Sequence, residues 1–451
     1  MRKYKHYKDS GIEWIGEIPE HWEIERFKYD FLPSKGLTIT KSDLVDNGWP
    51  VVNYGQIHSK LNLGTGINGD LIRYVPISYR GLYLKEVAAQ NDFIFADTSE
   101  DIEGCGNCVF IDKNQEIFAG YHTIIAKSRH KEYGRYFSYL FLTNEWRSQI
   151  RSRVYGVKVF SITQNILFNT KVILPSLPEQ QSIANYLDKK CGLIDRMIGN
   201  LQKKIELLKE LKSSVISRAV TKGLDPHVKM KDSGVEWIEE IPEHWEIERF
   251  KYDFLPSKGL TITKSDLVDN GWPVVNYGQI HSKLNFGTGI NGNLIRYVPI
   301  SYRGLYLKEV AAQNDFIFAD TSEDIEGCGN CVFIDKNQEI FAGYHTVIAK
   351  SRRKEYGRYF SYLFLTNEWR SQIRSRVYGV KVFSITQNIL FNTNIIVPPL
   401  SEQQSIANYL DEKCEKIDST VTKAQRKIDL LKEYKTALIS EVVTGKRKVS
   451  A

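Results

Sequence analysis

The chain is one sequence unit written twice, and this duplication constrains the fold more than any other feature. The segment DSGIEWIGEIPEHWEIERFKYDFLPSKG begins at Asp9, and its near copy DSGVEWIEEIPEHWEIERFKYDFLPSKG begins at Asp232. Up to Leu167 the copies differ only at Ile12/Val235, Gly16/Glu239, Leu63/Phe286, Asp70/Asn293, Ile124/Val347 and His130/Arg353. They diverge after Lys171/Asn394, although the apolar pattern persists. A period this long indicates a duplicated domain and not a stacked solenoid.

Length and composition indicate a globular protein of several domains. The 451 residues suggest two to four domains, and 42% hydrophobic with 25% charged residues is ordinary globular usage. The sequence has no apolar run long enough for a membrane span and no apolar signal-peptide core, so we expect a soluble protein of the cytoplasm. The six cysteines are sparse and fall at matching positions, which argues against a disulfide framework. The net charge of +7 permits a polyanionic partner without requiring one.

The first part of each copy is predicted to be an α+β domain. The runs GWPVVNYGQIH, QNDFIFAD and CVFIDKNQEIFAGYHTIIAKS are typical of β-strands, with Asp-Lys-Asn as a hairpin turn in the third run. The segment from Tyr133 to Val154 has helical spacing of its apolar residues.

The second part of each copy is predicted to be one long helix. The first helix should open near Pro178, the second at a capping box over Ser401–Gln404, and Gly223 and Gly445 should end them. Roughly forty residues make a rod about 60 Å long. The apolar residues follow near-heptad spacing: Ile194, Ile198, Leu201, Ile205, Leu208 and Val215, with copies at Ile417, Val421, Ala424, Ile428, Leu431 and Leu438. Such a stripe favours pairing with the other helix over packing only on its own domain.

The order domain, helix, domain, helix predicts an antiparallel coiled coil with one domain at each end and a pseudo-twofold axis. The expected boundaries are 1–175 and 232–398 for the globular domains, 176–223 and 399–445 for the helices, 224–231 for a Gly/Pro linker and 446–451 for a tail. Two equal surfaces related by a twofold axis meet DNA as a dimer does, so they should read inverted half-sites.

Several motifs together resemble the specificity subunits of type I restriction–modification systems. They are GIEWIGEIPEHWE, TKGLDPHVKMKDSGVEWIEEIPEHWE, LPSLPEQQSIANYLDKK, PPLSEQQSIANYLDEK and ALISEVVTGKRKV, and the resemblance covers essentially the whole chain. It implies two target-recognition domains that read a split DNA site, and helices that act as a ruler and as a docking surface for two methyltransferase (modification) subunits. S-adenosylmethionine, Mg²⁺ and ATP would then belong to the modification and restriction subunits and not to this chain. The sequence has neither a GxxxxGK[ST] loop nor an Asn/Asp-Pro-Pro-Tyr/Phe motif, as a non-catalytic reader should.

Recognition domains of this family usually differ from one another, whereas these two are near copies. The target is therefore expected to be interrupted and nearly palindromic, with halves of about three to five base pairs. Three alternatives are a reader for a methylation-only or phage-defence system, a Mg²⁺-dependent nuclease, and a coiled-coil scaffold. Two large globular domains would be superfluous in a scaffold.

Four polar clusters in each copy are candidates for DNA contact, because cations bind phosphates while amides, hydroxyls and imidazoles read base edges. In the first copy they are Lys35, Thr38, Thr40 and Lys41; Asn53, Tyr54, Gln56, His58 and Lys60; Thr98, Ser99 and His122; and Arg147, Arg151, Arg153, Tyr155, Lys158, Ser161 and Gln164. The second-copy equivalents are Lys258, Thr261, Thr263, Lys264, Asn276, Tyr277, Gln279, His281, Lys283, Thr321, Ser322, His345, Arg370, Arg374, Arg376, Tyr378 and Lys381. Each cluster could instead be ordinary solvated surface. We expect Arg151, Arg153 and Lys158 to bind phosphate. Asn53 and Gln56 are expected to read bases from a strand with a polar face.

Two further motifs have structural explanations that we favour over metal binding. Cys105-Gly-Asn-Cys108 has zinc-knuckle spacing, but the only helper is His122, so a Gly-rich turn with two buried thiols is the preferred interpretation. The acidic residues Asp97, Glu100, Asp101 and Glu103 could hold Mg²⁺ in a nuclease, but they lack a suitable lysine. We expect them to cap a loop or to accept from cytosine.

Overall fold

A computed structural model describes residues 3–130, 134–353, 355 and 357–449. The chain divides into two compact units: unit 1 holds residues 1–202 and 426–451, and unit 2 holds residues 203–425. Both units mix short strands with helices, which confirms the predicted α+β class. Tyr133, where the predicted helical segment starts, lies outside the described residues.

Unit 1 is built around two four-stranded sheets, ordered β10-β8-β12-β4 and β6-β5-β11-β7. Its strands are β1 (Tyr7–Asp9), β2 (Glu17–Pro19), β3 (Glu23–Arg26), β4 (Phe31–Lys35), β5 (Trp49–Val52), β6 (Arg73–Val75), β7 (Val87–Ala88), β8 (Phe93–Ala96), β9 (Thr98–Ser99), β10 (Cys108–Phe110), β11 (Ile117–Ala119), β12 (Thr123–Ser128), β13 (Phe160–Ser161) and β14 (Lys171–Leu174). Its short helices are α1 (Phe27–Asp30), α2 (Tyr54–Ile57), α3 (Tyr79–Leu82), α4 (Gly134–Leu140), α5 (Asn144–Arg151) and α6 (Gln164–Phe168).

Two long helices follow the two domains. They are α7 (Leu177–Lys222) and α14 (Leu400–Val443). Gly223 and Gly445 come just after them with φ of +77° and +75°, the left-handed geometry that favours glycine beyond a helix end.

Unit 2 repeats the elements and the sheet order of unit 1. Its strands are β15 (Met230–Asp232), β16 (Glu240–Pro242), β17 (Glu246–Arg249), β18 (Phe254–Lys258), β19 (Trp272–Val275), β20 (Arg296–Val298), β21 (Val310–Ala311), β22 (Phe316–Ala319), β23 (Thr321–Ser322), β24 (Cys331–Phe333), β25 (Ile340–Ala342), β26 (Thr346–Ser351), β27 (Phe383–Ser384) and β28 (Asn394–Val397). Its short helices are α8 (Phe250–Asp253), α9 (Tyr277–Ile280), α10 (Tyr302–Leu305), α11 (Gly357–Leu363), α12 (Asn367–Arg374) and α13 (Gln387–Phe391).

The strand Phe-Ile-Phe-Ala of β8 explains how each domain holds its core. All four residues are buried, because successive side chains point to opposite faces and both faces are covered. Phe93 and Phe95 enter the main aromatic core, while Ile94 and Ala96 enter a second, aliphatic core. The sheet is therefore the wall between two apolar layers, and β22 has the same role in unit 2.

In unit 1 the first part of α7 pairs with the last part of α14 in antiparallel direction. The Tyr136 hydroxyl donates to the carbonyls of Ile173, just before α7, and Val443, at the end of α14. Further along the pair, Lys435 Nζ lies 2.7 Å from Asp195 Oδ2. Apolar residues of both helix segments share the main aromatic core of the domain.

Unit 2 uses the complementary helix parts in the same antiparallel way. Lys212 Nζ lies 2.6 Å from Asp418 Oδ2, and Tyr359 donates to the Val220 carbonyl near the end of α7. The heptad prediction is confirmed in that the twelve stripe residues are all buried or half-buried. Each domain packs on this helix pair as well, so the two alternatives for the stripe are both partly realised.

Two strand predictions are wrong. Residues after Val52 leave the strand, because Asn53 and Gln56 form a capping box that starts α2. The Asp-Lys-Asn turn does not close a hairpin, since β10 pairs with β8 whereas β11 pairs with β5 and β7 in the other sheet.

Two helix predictions also need correction. The described part of the helical segment is two helices, α4 and α5, separated where the Thr143 side chain caps α5. Ser401 does not open a capping box, because α14 already begins at Leu400 and the Gln403 side chain donates to the Pro398 carbonyl.

Candidate nucleic-acid interface

An open cleft of about 550 Å³ in unit 2 joins stretches that are distant in sequence. Its wall includes Lys258 at the end of β18, Thr261 in the loop after it, Thr321 on β23, His345 before β26, and Gln387 at the start of α13. We call this surface, and its equivalent in unit 1, the reading cleft. It combines members of the first and third sequence clusters with Gln387, the copy of Gln164 in the fourth cluster.

The same backbone contacts assemble the reading cleft of unit 1. The Gly36 amide donates to the Thr123 carbonyl at 3.1 Å, and the Ile162 amide donates to the Asp97 carbonyl at 2.7 Å. The equivalent bonds in unit 2 have the same lengths. Lys35, Thr38, Thr98, His122 and Gln164 are therefore the unit 1 counterparts of the cleft residues.

The histidine at the cleft has an unusual backbone. His122 and His345 both have φ of +54°, a conformation that few residues other than glycine adopt. The exposed ring of His122 has Nδ1 3.3 Å from Asp97 Oδ1 and contacts the ring of Tyr54. A strained residue whose ring is fixed at a surface cleft is a recurrent feature of binding sites.

The second cluster does not present the polar strand face that the sequence predicts. Asn53 is buried, its Oδ1 accepts from the Tyr121 amide, and Gln56 Oε1 accepts from the Asn53 amide at 3.1 Å. Asn276 and Gln279 repeat these bonds. The two amides that we expected to read bases therefore position the loop that carries Tyr54.

His58 and Ser99 are also committed to the domain itself. His58 Nε2 lies 2.8 Å from the Thr98 carbonyl, and the Ser99 hydroxyl donates to the Asp101 carbonyl at 2.7 Å. His281 and Ser322 make the same contacts. Lys60 is fully on the surface, and Lys283 occupies the same position in unit 2.

The first cluster is exposed at the end of β4 and in the loop that follows it. Lys35, Thr38 and Lys41 face solvent, while Thr40 forms a capping box with Asp43. In unit 2 Thr263 caps in the same way beside Lys264. This loop supplies cations and one uncommitted hydroxyl at the rim of the reading cleft.

The fourth cluster splits into two parts. Arg147 is half-buried, its Nε donates to the Phe141 carbonyl at 2.7 Å, and the removal of its guanidinium from water lowers the pKa of Arg147 to about 10. Arg151 donates to the Glu103 carbonyl at 2.7 Å and to Asn144 Oδ1. Arg370 and Arg374 repeat these bonds, and Arg374 also pairs with Glu326 at 3.0 Å. These arginines hold loops of the domain together.

The rest of the fourth cluster faces solvent in both units. The side chains are Arg153, Tyr155 and Lys158 in unit 1 and Arg376, Tyr378 and Lys381 in unit 2. Tyr155 is 87% exposed and Val157 98% exposed. Their loop leads into β13, which pairs with β9 beside the reading cleft. An apolar loop with a lysine thus lies next to the cleft.

The CGNC turn and the acidic run have structural roles. Both thiols are buried, and burial raises the pKa of Cys108 to about 12. Asp101 Oδ1 accepts from the Gly104 amide at 2.6 Å, so this acid caps its loop as expected. Within the described residues no group of three or more His, Cys, Asp or Glu side chains could hold a metal ion.

Sequence reasoning missed a cationic surface formed by Arg26, Arg153 and Lys171. Arg26 and Lys171 are register partners on β3 and β14 but lie far apart in sequence. Only a correct prediction of that strand pairing could have placed them together.

The fold defines a class of proteins in which duplicated α+β domains pack on halves of long helices. The sequence model of the type I restriction modification DNA specificity domain matches the chain twice, over residues 19–209 and 242–429. Because these matches cover most of the sequence, the chain belongs to this family.

Named relatives and a solved structure agree with that assignment. The type I restriction enzyme MjaVIII specificity subunit of Methanocaldococcus jannaschii is 25% identical over 315 residues, which is 69% of this chain and 70% of the relative. A second protein of that organism, provisionally named the MjaX specificity subunit, is 25% identical over 98% of both chains. A chain of a type I R-M system, solved to describe complex assembly and conformational transition, has a TM-score of 0.68 at 17% identity and covers 94% of this chain and 98% of its own. In the described part of the chain, no helix is long and apolar enough to cross a membrane.

Proposed function

We propose that this chain is the DNA-reading subunit of a type I restriction–modification complex, and that it reads a bipartite, nearly palindromic site. The observation that carries the proposal is the reading cleft of unit 2, whose lining residues and backbone bonds unit 1 repeats except for Ile124 in place of Val347, in a family of DNA specificity domains. Equal clefts read equal base sequences, so the two half-sites should match when each is read on its own strand. We propose the domain boundaries expected from the sequence as well. The recognition domains would span residues 1–175 and 232–398, and the helices residues 176–223 and 399–445.

The residues proposed to contact DNA are those that face solvent at the cleft and its rim. Lys35, Lys41 and Lys158 would bind phosphates, and Thr38, His122 and Gln164 would approach base edges. Their copies would do the same in unit 2. The buried or internally bonded Asn53, His58, Ser99, Arg147 and Arg151 would support the cleft from behind.

The long helices support a spacer role. In each unit an N-terminal part of one helix pairs antiparallel with a C-terminal part of the other, so the two units are made of equivalent pieces. Such equivalence fits a pseudo-twofold arrangement with inverted half-sites. Two methyltransferase subunits, and restriction subunits where the system has them, would dock on the same protein in the cytoplasm.

Mapping methylated adenines in the source genome tests the proposal, with random-sequence selection on the purified complex as a second measurement. The expected motif has two matching halves on opposite strands with a fixed unspecified spacer. Two unrelated half-sites would show that the site is not palindromic. If the complex bound all sequences equally well, the assignment of this chain as the DNA-reading subunit would be wrong.

A reader for a methylation-only or phage-defence system would give the same motif but would co-purify with different subunits. The nuclease alternative is tested by incubating the purified chain with Mg²⁺ and plasmid, where we expect no cleavage because the chain itself is proposed to be non-catalytic.

A further inference from the structure

A second cleft of about 510 Å³ lies in unit 1 and has a surplus of positive charge. Its lining contains three cations, Arg26, Arg153 and Lys171, against one acid, Glu13. Trp14 and the amides of Gln149, Asn165 and Asn169 complete its polar wall. We call this surface the basic cleft.

Two of the three cations contact backbone carbonyls, and none of the three has a carboxylate partner among the residues that the structure describes. Lys171 is fixed by Gln149, which accepts from the Lys171 amide at 2.8 Å and donates to its carbonyl at 3.0 Å. The Lys171 ammonium reaches only the Gly11 carbonyl, at 3.2 Å, and Arg153 reaches the Asn169 carbonyl at 3.4 Å. Across the described ranges, none of the three cations has a carboxylate within 4.0 Å. Clustered positive charge of this kind suits an anion from outside the protein.

The basic cleft adjoins the reading cleft across the single turn of α6. Gln164 and Asn165 line a neighbouring shallow cleft with Lys28 and Arg129, and Asn165 also lines the basic cleft. The unit 2 copy of Gln164, Gln387, lines the reading cleft. A polyanion whose bases enter the reading cleft would therefore have the basic cleft within reach of its backbone.

Unit 2 provides a natural control, because one cation is missing there. Asn394 replaces Lys171. Arg376 keeps the backbone contact that its copy Arg153 makes with Asn169, and Arg249, the copy of Arg26, shares that backbone oxygen in unit 2. Arg249 donates to the Asn392 carbonyl at 2.7 Å, and Arg376 lies 3.4 Å from the same atom. The equivalent surface of unit 2 therefore has fewer charges, and those it has are partly satisfied.

We infer that the basic cleft of unit 1 binds a phosphate of the DNA backbone beside its half-site, and that Lys171 makes this contact stronger than in unit 2. The inference rests on the proposed function. Its consequence is that a palindromic sequence is read by a protein whose two halves hold the backbone unequally. A palindromic base sequence is the same in both orientations, so the bases cannot set the direction of the complex on the DNA. The unequal contacts with flanking phosphates can set that direction.

The test compares the full chain, in complex with its modification subunits, with Lys171→Asn, Asn394→Lys and the double exchange. Each loss of a phosphate contact should lower the slope of log binding constant against log salt by about 0.9. We expect Lys171→Asn to lower the slope by that amount, Asn394→Lys to raise it, and the exchange to restore the wild-type value. Lys113→Asn changes the net charge equally on an exposed turn outside the cleft and should leave the slope unchanged.

Phosphate-ethylation interference on the same site locates the contact. One interfering phosphate should disappear with Lys171→Asn and none with Lys113→Asn. An unchanged slope and unchanged pattern would overturn the inference while leaving specific binding, and hence the proposed function, intact. A complex with no sequence preference would instead overturn the proposed function. If inorganic phosphate stabilises the protein through Lys171 but the DNA slope does not change, the cleft is a site for small anions and the assignment to DNA is wrong.

Discussion

Unit 1 and unit 2 are almost the same domain, yet they hold one buried carboxylate differently. In unit 2 Arg353 pairs with the buried Asp253 at 3.5 Å, whereas unit 1 has His130 at the position equivalent to Arg353 and Asp30 at the position equivalent to Asp253. Asp30 Oδ2 and Asp253 Oδ2 are both buried without a hydrogen bond, and burial raises the pKa of both acids. The difference is the opposing cation: Arg353 lowers the pKa of Asp253, whereas the pKa of Asp30, raised by burial and the charge of Glu25, is about 6 against the effect of Arg129. The comparison shows that the duplicated fold tolerates a changed partner for one buried carboxylate, whereas the polar residues of the reading cleft are identical in the two units.

Substituting the equivalent lysines of the two reading clefts tests most directly whether both clefts bind DNA in the same way. Lys35→Ala and Lys258→Ala should each weaken binding of the palindromic site about tenfold near 0.1 M salt, and the double variant about a hundredfold, because each removes one phosphate contact. Fluorescence anisotropy of the complex with labelled duplex measures this, with Lys113→Ala as control. If one variant carried the whole loss, only one unit would use its cleft.

The different partners of Asp253 and Asp30 predict that Arg353 contributes to the stability of unit 2. Arg353→His should destabilise unit 2 by about 1.5 kcal/mol at pH 8, because it leaves a buried, ionised acceptor with a neutral partner. Urea unfolding of the full chain, with hydrogen exchange of the β17–β28 ribbon, measures the loss. A variant as stable as the parent would mean that the half-exposed Arg353 contributes nothing.

The reciprocal substitution, His130→Arg in unit 1, should change the stability of unit 1 in a way that depends on pH. Since the folded pKa of Asp30 lies above its unfolded value, folding favours the protonated form, and stability declines as pH rises from about 4 to 6. His130→Arg should oppose that decline and stabilise unit 1 by about 1 kcal/mol at pH 8. At pH 4 the gain should vanish, and a gain that is equal at both pH values would exclude Asp30 as its cause.

Backbone strain separates the units at one turn. Glu239 has φ of +61°, where unit 1 has Gly16 at +70°. Nothing lies within 4 Å of a Cβ placed on Gly16, so the difference is conformational and not steric. Glu239→Gly should stabilise unit 2 by about 1 kcal/mol and Gly16→Glu should destabilise unit 1 equally, as thermal unfolding would show. Opposite signs would contradict the strain argument.

The smallest effect is expected at the exposed pair Leu63 and Phe286, which are 60% and 61% exposed. Exchanging them (Leu63→Phe with Phe286→Leu) should change stability by less than about 0.5 kcal/mol. A change in the preferred half-site after the exchange would show that this pair makes the two units read differently.

The sequence was sufficient for features that repeat or follow a period. The duplication, the two long helices, their apolar stripes and the α+β class follow from local patterns and are confirmed. Patterns that depend on tertiary pairing were not predictable. Asn53 to His58 has strand-like alternation, but the capping box of Asn53 with Gln56 overrides it. Likewise β10 and β11 flank a good turn sequence, yet each finds a better partner in a different sheet.

The candidate site was predictable only in part, for the same reason. Residue type suggested Arg147 and Lys35 equally, because both are cations near polar residues. Only the fold shows that the half-buried Arg147 donates to the Phe141 carbonyl while Lys35 faces solvent. Burial and register decide which polar side chains are available, and neither can be read from one sequence.

The division of the chain has a consequence for the order of folding during synthesis. Unit 2 is a continuous stretch, residues 203–425, whereas unit 1 needs residues 426–451 to complete it. On the ribosome the domain that is made first therefore completes its folding last. It needs the hydrogen bonds of Tyr136 to the Val443 carbonyl and of Tyr7 to the Gly445 carbonyl, which form only after α14 has been made. A premature stop near residue 425 would leave unit 2 complete. Unit 1 would lack the end of α14, and the apolar core residues that α14 covers would be exposed to water.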